Sequence, residues 1–209
     1  GPTRLNLRFG EEDPEQLFSE FDNLFSAVAR DGYTAGAAGW YHPYCRLFRD
    51  SLNRCVDFYW QSVQFYETES FLDSFRVSAN SLAPNWGRRV MVSIYERLRD
   101  ASLDYVADPD LDFVAIHLNV PHDPPIYHPE SGQLRSQGIG LTYGGNVALA
   151  DIALGLIVEQ LKVSGLSEQT AVIIGSDHGS DKLPDHGSLP GAVPLIIRLP
   201  GQSEGSIME

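Results

Sequence analysis

What is scarce in this sequence limits what it can be. Its 209 residues include only two cysteines, Cys45 and Cys55. Two thiols build no disulfide framework. Their spacing is not that of a metal site, and no third cysteine is present to complete a thiolate zinc centre. They read as two buried thiols, with pairing in an oxidising compartment as the alternative. Basic residues are outnumbered, 15 Lys and Arg against 28 Asp and Glu, for a net charge of -13. A surface that acidic repels phosphate backbones and excludes non-specific nucleic-acid binding. A bound cation can still reverse the field locally and admit a small anionic substrate. No apolar run is long enough to span a bilayer. No signal peptide opens the chain, and Gly1-Pro2 reads as the scar of a removed tag. No repeat or low-complexity tract is present. No G-x-G-x-x-G or Walker-type loop follows a strand, which sets aside a nucleotide-binding domain of that kind.

What is present is an ordinary globular balance. Hydrophobic residues make up 43% of the chain and charged residues 21%, enough for one sizeable core, so residues 1–209 read as a single α/β domain. A helix is predicted over Glu11 to Arg30, opened by Asp13-Pro14 and stopped at Gly32. Tyr33 to Trp40 is a short buried strand, and Tyr41-His42-Pro43-Tyr44 is an aromatic loop. Asp57 to Asn80 has no clean period. Val90 to Leu103 is a helix, with Val90, Ile94, Leu98 and Ala101 on one face. Asp108-Pro109-Asp110 is a turn and Leu111 to Asn119 a strand. Pro121 to Gly140 is a long loop of the kind that carries function or moves. Asn146 to Val163 is a helix with a wide apolar stripe of Val147, Ala150, Ile152, Leu154, Ile157, Val158 and Leu161. Thr170 to Ser176 and Val193 to Leu199 are strands. The first is apolar throughout, as a parallel strand buried on both faces requires. Pro194 puts the second at an edge or marks its start. This order of elements predicts an α/β layered fold with a largely parallel central sheet flanked by helices.

The sharpest chemical feature is Ser176-Asp177-His178-Gly179 at the end of an apolar strand. Ligand sites of open α/β sheets form there. A carboxylate beside an imidazole offers one oxygen and one nitrogen to a divalent cation without choosing which. An N-cap aspartate with a solvated histidine is the competing reading. His122, in NVPHDPP, is either a charge-stabilising or proton-donating histidine or a loop histidine capped by Asp123. His117 faces away from Val114, Ile116 and Leu118 and reads as a hydrogen-bonded structural histidine. His42 and His128 have no support beyond their residue type.

From about Asp112 to Gly201 the chain resembles the sulfatase family of the alkaline phosphatase superfamily. The resemblance rests on Tyr143 with NVALADIALGLIVEQLKVSGLSEQT, then TAVIIGSDHG, the loop with His186, and VPLIIRLPG. FDNLFSAVARDGYTAGAAGWYH matches the family more loosely. The resemblance implies an alkaline phosphatase-like fold, incomplete here at its N-terminal side. It implies Asp177 and His178 as ligands of a divalent metal (Ca, Mn, Mg or Zn), with His122 and His186 as catalytic histidines and Lys182 as a contact to a sulfate or phosphate oxygen. The implied parent is a hydrolase or transferase of sulfate or phosphate esters, with a small-molecule, lipid or glycan ester as substrate. An extracytoplasmic, membrane-tethered parent is implied too, although no tether is visible here. The departures are as informative. The family's nucleophile and first acidic ligands come from earlier segments. Neither cysteine sits in a C-x-P-x-R maturation motif. The expectation is therefore an inactive piece of an active parent, and a non-catalytic scaffold serving as an interaction module is the alternative.

Overall fold

The structure, a computed structural model, describes residues 6–7, 16–17, 22–58, 85–179 and 193–205. Short strands at Asn6–Leu7 (β1) and Gln16–Leu17 (β2) pair antiparallel. β2 falls inside the helix predicted from Glu11, and the helix itself is only Leu24–Arg30 (α1). Asn23 sets its start. Its side chain accepts from the Ser26 N–H at 3.0 Å, and Ser26 Oγ accepts from the Asn23 N–H at 2.9 Å. This reciprocal box satisfies two N–H groups that an uncapped helix would leave open. Gly32, at φ 85°, takes the left-handed turn that ends the segment.

Ala35–Trp40 (β3, AGAAGW) is the middle of a three-stranded sheet, with Arg54–Phe58 (β4) and Phe113–His117 (β5) parallel on either side. All six β3 residues are buried. Alanine and glycine let the layers close on both faces. On one face Phe25 of α1 packs over Ala35 and Ala37, with its ring centroid 4.5 Å from that of Phe48 and 5.7 Å from that of Phe113. The short helix Tyr44–Leu47 (α2) lies on this side too. On the other face Ala38, Trp40 and Phe58 meet Met91, Ile94, Tyr95 and Leu98 of Trp86–Val106 (α3). The buried Ser102 hydroxyl of α3 donates to the Leu98 carbonyl at 2.7 Å. Edge strand β4 is tied to the end of α3 by Arg54, which pairs with Asp104 and, at 2.7 Å, with Asp108. Hydrogen bonds from Arg54 and then from the Asp110 N–H hold the Asp108 carboxyl below its ordinary pKa.

Tyr127–His128 (β6) and Gln133–Leu134 (β7) form a hairpin inside the predicted long loop. Tyr143–Val163 (α4) follows, capped by Thr142 Oγ1, which accepts from the Gly145 N–H at 3.1 Å. The buried ridge of α4 is Leu149, Ala153, Ile157 and Leu161, every fourth residue. Val147 and Ile152, assigned to the stripe from sequence, are exposed, because α4 meets α3 along one narrow ridge.

Val172–Gly175 (β8) pairs antiparallel with Leu195–Arg198 (β9). β8 was expected to be a parallel strand buried on both faces. Among the described residues its partner is β9 alone, and Ile173 is 69% exposed. Pro194 does mark the start of β9, and Gly201 turns the chain after it at φ 68°. Cys45 and Cys55, expected as separate thiols, form a disulfide with Cα atoms 5.5 Å apart. α2 turns the chain back so that both Cβ atoms meet on the α1 face of the sheet.

Leu98 is fully buried. Replacing it with Ala should cost roughly 2–5 kcal/mol, the range for a deleted core Leu. Leu156→Ala, on the exposed side of α4, should change stability by about 0.5 kcal/mol or less. Urea unfolding of both variants measures the contrast.

Candidate active site

Four segments bring histidines, a tyrosine and an aspartate to the carboxyl ends of strands, the position where open α/β sheets place their sites. The first follows β3. Tyr41 takes φ 72°, a left-handed backbone uncommon for a bulky residue. The chain therefore turns sharply, and His42 and Tyr44 fold back over the end of the sheet. The Tyr44 ring lies on bare backbone. A Cβ at Gly39 would stand 2.3 Å from Tyr44 Cδ2, so no other residue fits there without moving the ring.

The second segment is the end of β5, where His117 stands opposite Gly39 in register. Its Nδ1 and the Tyr44 hydroxyl share a hydrogen bond of 2.8 Å. The sequence reading of His117 as a hydrogen-bonded histidine facing away from Ile116 therefore holds. It also stands among other candidate groups. Its ring centroid is 6.3 Å from that of His42 and 6.2 Å from that of Trp40. Burial pushes the His117 pKa down, the Asp177 carboxylate pulls it back up, and His42 and His122 push it down further. The result is a neutral imidazole at neutral pH.

The third segment carries His122. The His122 ring packs edge-on to Trp40, centroid to centroid 4.8 Å, on the α3 side of the sheet end. Its Nδ1 shares a 2.6 Å hydrogen bond with the Asp123 carbonyl oxygen. The neighbouring Asp123 does engage it, though through backbone. One fully buried side chain shapes this loop. Asn146 Nδ2 donates to the His122 carbonyl at 2.8 Å and to the Pro124 carbonyl at 3.5 Å, while its Oδ1 accepts from the Ile126 N–H at 2.9 Å.

The fourth is Ser176–Gly179 beyond β8. Asp177 lies near enough to Tyr44 and His117 for its charge to act on both. It adds to the burial that raises the Tyr44 pKa. His178 is exposed, with Nδ1 bonded to the Gly179 carbonyl oxygen at 2.7 Å and Nε2 3.9 Å from Asp177 Oδ1. Ser176 Oγ donates to the His178 carbonyl at 2.7 Å. His186 and Lys182 lie outside the described residues.

Asp177 and His178 could reach one cation, since two ligands at about 2.0–2.1 Å can stand up to ~4 Å apart. Tight sites need three or four such donors. Among the described residues no group of three or more His, Cys, Asp or Glu is placed to hold an ion. Among the described residues the donor set is therefore incomplete for a metal.

Sequence reasoning missed His42 and the place of His117 in the cluster. Both lie at or just beyond the ends of predicted strands, and that position was the available signal. Their convergence comes from the register of β3 against β5, which no local pattern encodes.

A sequence profile of the family described as Type I phosphodiesterase / nucleotide pyrophosphatase matches residues 3–193. No curated protein matches the chain. The match lies in the alkaline phosphatase superfamily, as the resemblance implied, and names its phosphodiesterase branch.

Two outcomes are expected. Asn146→Ala leaves the Ile126 N–H and two carbonyls without their partner. It should cost about 1–3 kcal/mol and broaden the His122 imidazole resonances in NMR. The second concerns pH. His117 has a lowered folded pKa, so below the ordinary value of about 6.5 the unfolded chain binds a proton that the folded chain refuses. Stability should fall as pH drops through the window between that value and the lower folded one. Denaturation at stepped pH should give a shallower slope there for His117→Gln.

Proposed function

Because the chain belongs to the type I phosphodiesterase / nucleotide pyrophosphatase family, we propose that its histidine cluster forms one wall of a phosphoester-hydrolysing site. The observation that carries this reading is the convergence of His117, Tyr44 and Asp177 from three segments, with His42 and His122 beside them. A phosphate group brings negative oxygens, and imidazole N–H groups can donate hydrogen bonds to them. His122, beside Trp40 at the sheet end, is the residue we assign to pass a proton to a leaving oxygen, a role worth about 10²–10⁴ in rate. Asp177 with His178 would supply the first two ligands of a divalent metal. Further donors would have to come from elsewhere in the protein.

A sulfate ester is the less favoured substrate. The family profile that matches is the phosphodiesterase one, and Cys45 and Cys55 are committed to each other. The Ser176 hydroxyl donates its hydrogen bond to a backbone carbonyl. The reading therefore expects the nucleophilic hydroxyl to come from a segment not among these 209 residues. The second reading, a non-catalytic scaffold that binds a partner, is favoured by apolar residues left exposed on both faces of the β8–β9 pair, where Leu195 and Ile196 are 66% and 57% exposed.

The test is turnover of bis(p-nitrophenyl) phosphate, p-nitrophenyl phosphate and p-nitrophenyl sulfate with Mn, Mg, Ca or Zn. The 209-residue chain should be inactive. A chain extended upstream should cleave the phosphate esters and lose about 10²–10⁴ in kcat with His122→Ala. Failure of every extended chain to cleave any ester would favour the scaffold. Activity of the short chain that disappears in His122→Ala would place the nucleophile within it.

A further inference from the structure

We propose that Tyr44 is a positioning residue that donates its hydroxyl proton to His117 Nδ1. The neutral imidazole is then fixed with its own proton on Nε2, and the Cys45–Cys55 bond keeps Tyr44 in place to do this. His117 is in that case a hydrogen-bond donor to a substrate oxygen, and neither a base nor a metal ligand. The role of Nε2 toward substrate rests on the phosphoester reading above. The tautomer and its dependence on the disulfide do not.

The direction of the bond follows from the bookkeeping of donors and acceptors. A neutral imidazole carries one N–H and one bare nitrogen, and the partner of one nitrogen decides where the proton sits. If Nδ1–H donated to Tyr44, the hydroxyl proton would need another acceptor. Among the described residues the Tyr44 hydroxyl has no other hydrogen-bond partner. With Tyr44 donating, its proton and the Nδ1 lone pair are both satisfied. Burial holds the phenol protonated and the imidazole uncharged. Nε2 then carries the remaining proton and has no protein partner among the described residues. It stands amid the charged and titratable groups that act on His117, namely Asp177, His42 and His122.

The placement of Tyr44 depends on two devices. One is the bare backbone of Gly39, directly across from His117 in the sheet. The other is the clamp on α2. A four-residue helix without a side-chain cap does not hold itself together. Cys45, the residue after Tyr44, is bonded covalently to Cys55 on β4, and its N–H donates to Asp57 Oδ2 at 2.8 Å. Cys55 and Asp57 stand beside Ala37 and Gly39 in register. The clamp is therefore anchored at the same level of the sheet as the ring it positions. Reduction removes the covalent half of that anchor and leaves its other half, the Cys45 N–H bond to Asp57.

The experiment uses the 209-residue chain with 15N-labelled histidine. Long-range 1H–15N spectra should report His117 as the Nε2–H tautomer. Tyr44→Phe keeps the ring on Gly39 but removes the proton donor. The tautomer preference should then relax toward the mixture of free imidazole, and the His117 pKa should rise because a bond favouring the neutral form is gone. Dithiothreitol, with folding followed by circular dichroism, should produce the same change in the wild type and none in Tyr44→Phe. Gly39→Ala, which displaces the ring with the disulfide intact, should match Tyr44→Phe even if the reduced chain unfolds. In an upstream-extended active chain, Tyr44→Phe should lower kcat and leave KM nearly unchanged. An Nδ1–H tautomer, or a His117 signal indifferent to both Tyr44→Phe and Gly39→Ala, would overturn the proposal. If no extended chain is active, the phosphoester reading fails while the spectra still decide the tautomer.

Discussion

The double-sided confinement of β3 is the constraint on which the rest depends. A strand with parallel neighbours on both edges has every backbone group paired and both faces covered. Alanine and glycine let α1 and α3 approach it closely from opposite sides. Trp40 at its end is the first large side chain, and there the chain must leave the sheet. Tyr41 makes that exit through an unusual backbone angle, and everything that gathers at the site does so around this exit. His42 and Tyr44 follow it, His117 lies across from its last glycine, and His122 packs on its tryptophan.

The two faces of the sheet end supply different environments. On the α1 side, Leu24, Phe25, Ala37, Phe113 and Ala115 line a cavity of about 210 Å³ that ends at Tyr44 and His117. On the α3 side, the His122 loop is backed by the larger core built on Met91, Ile94 and Leu98. One face thus leaves room next to a phenol–imidazole pair, while the other is filled behind its histidine.

The elements with strong periodicity were legible in the sequence. β3, β5, α3, α4 and β9 appear close to where apolar spacing and turn residues put them. β4 was not legible, because RCVDF alternates charge and apolarity too briefly to stand out beside the irregular stretch after it. The helix predicted from Glu11 was too long, since the continuing apolar spacing outweighed Asn23 and Ser26, whose capping pair marks the true start. The disulfide depends on a reversal at α2 that ten residues of sequence do not announce. At the site, Asp177 and His178 stood out because they adjoin in sequence after an apolar strand. His42 and His117 did not, because strand register joins them.

The reach of Asn146 ties two segments distant in sequence into one unit. One buried amide from the first turn of α4 holds three backbone groups between His122 and Ile126. Those groups have no such partner until that turn docks against the core. The arm bearing His122 is therefore held in its native course only while the start of α4 is docked. Loosening that one amide would unseat the histidine wall at a point far from it in sequence.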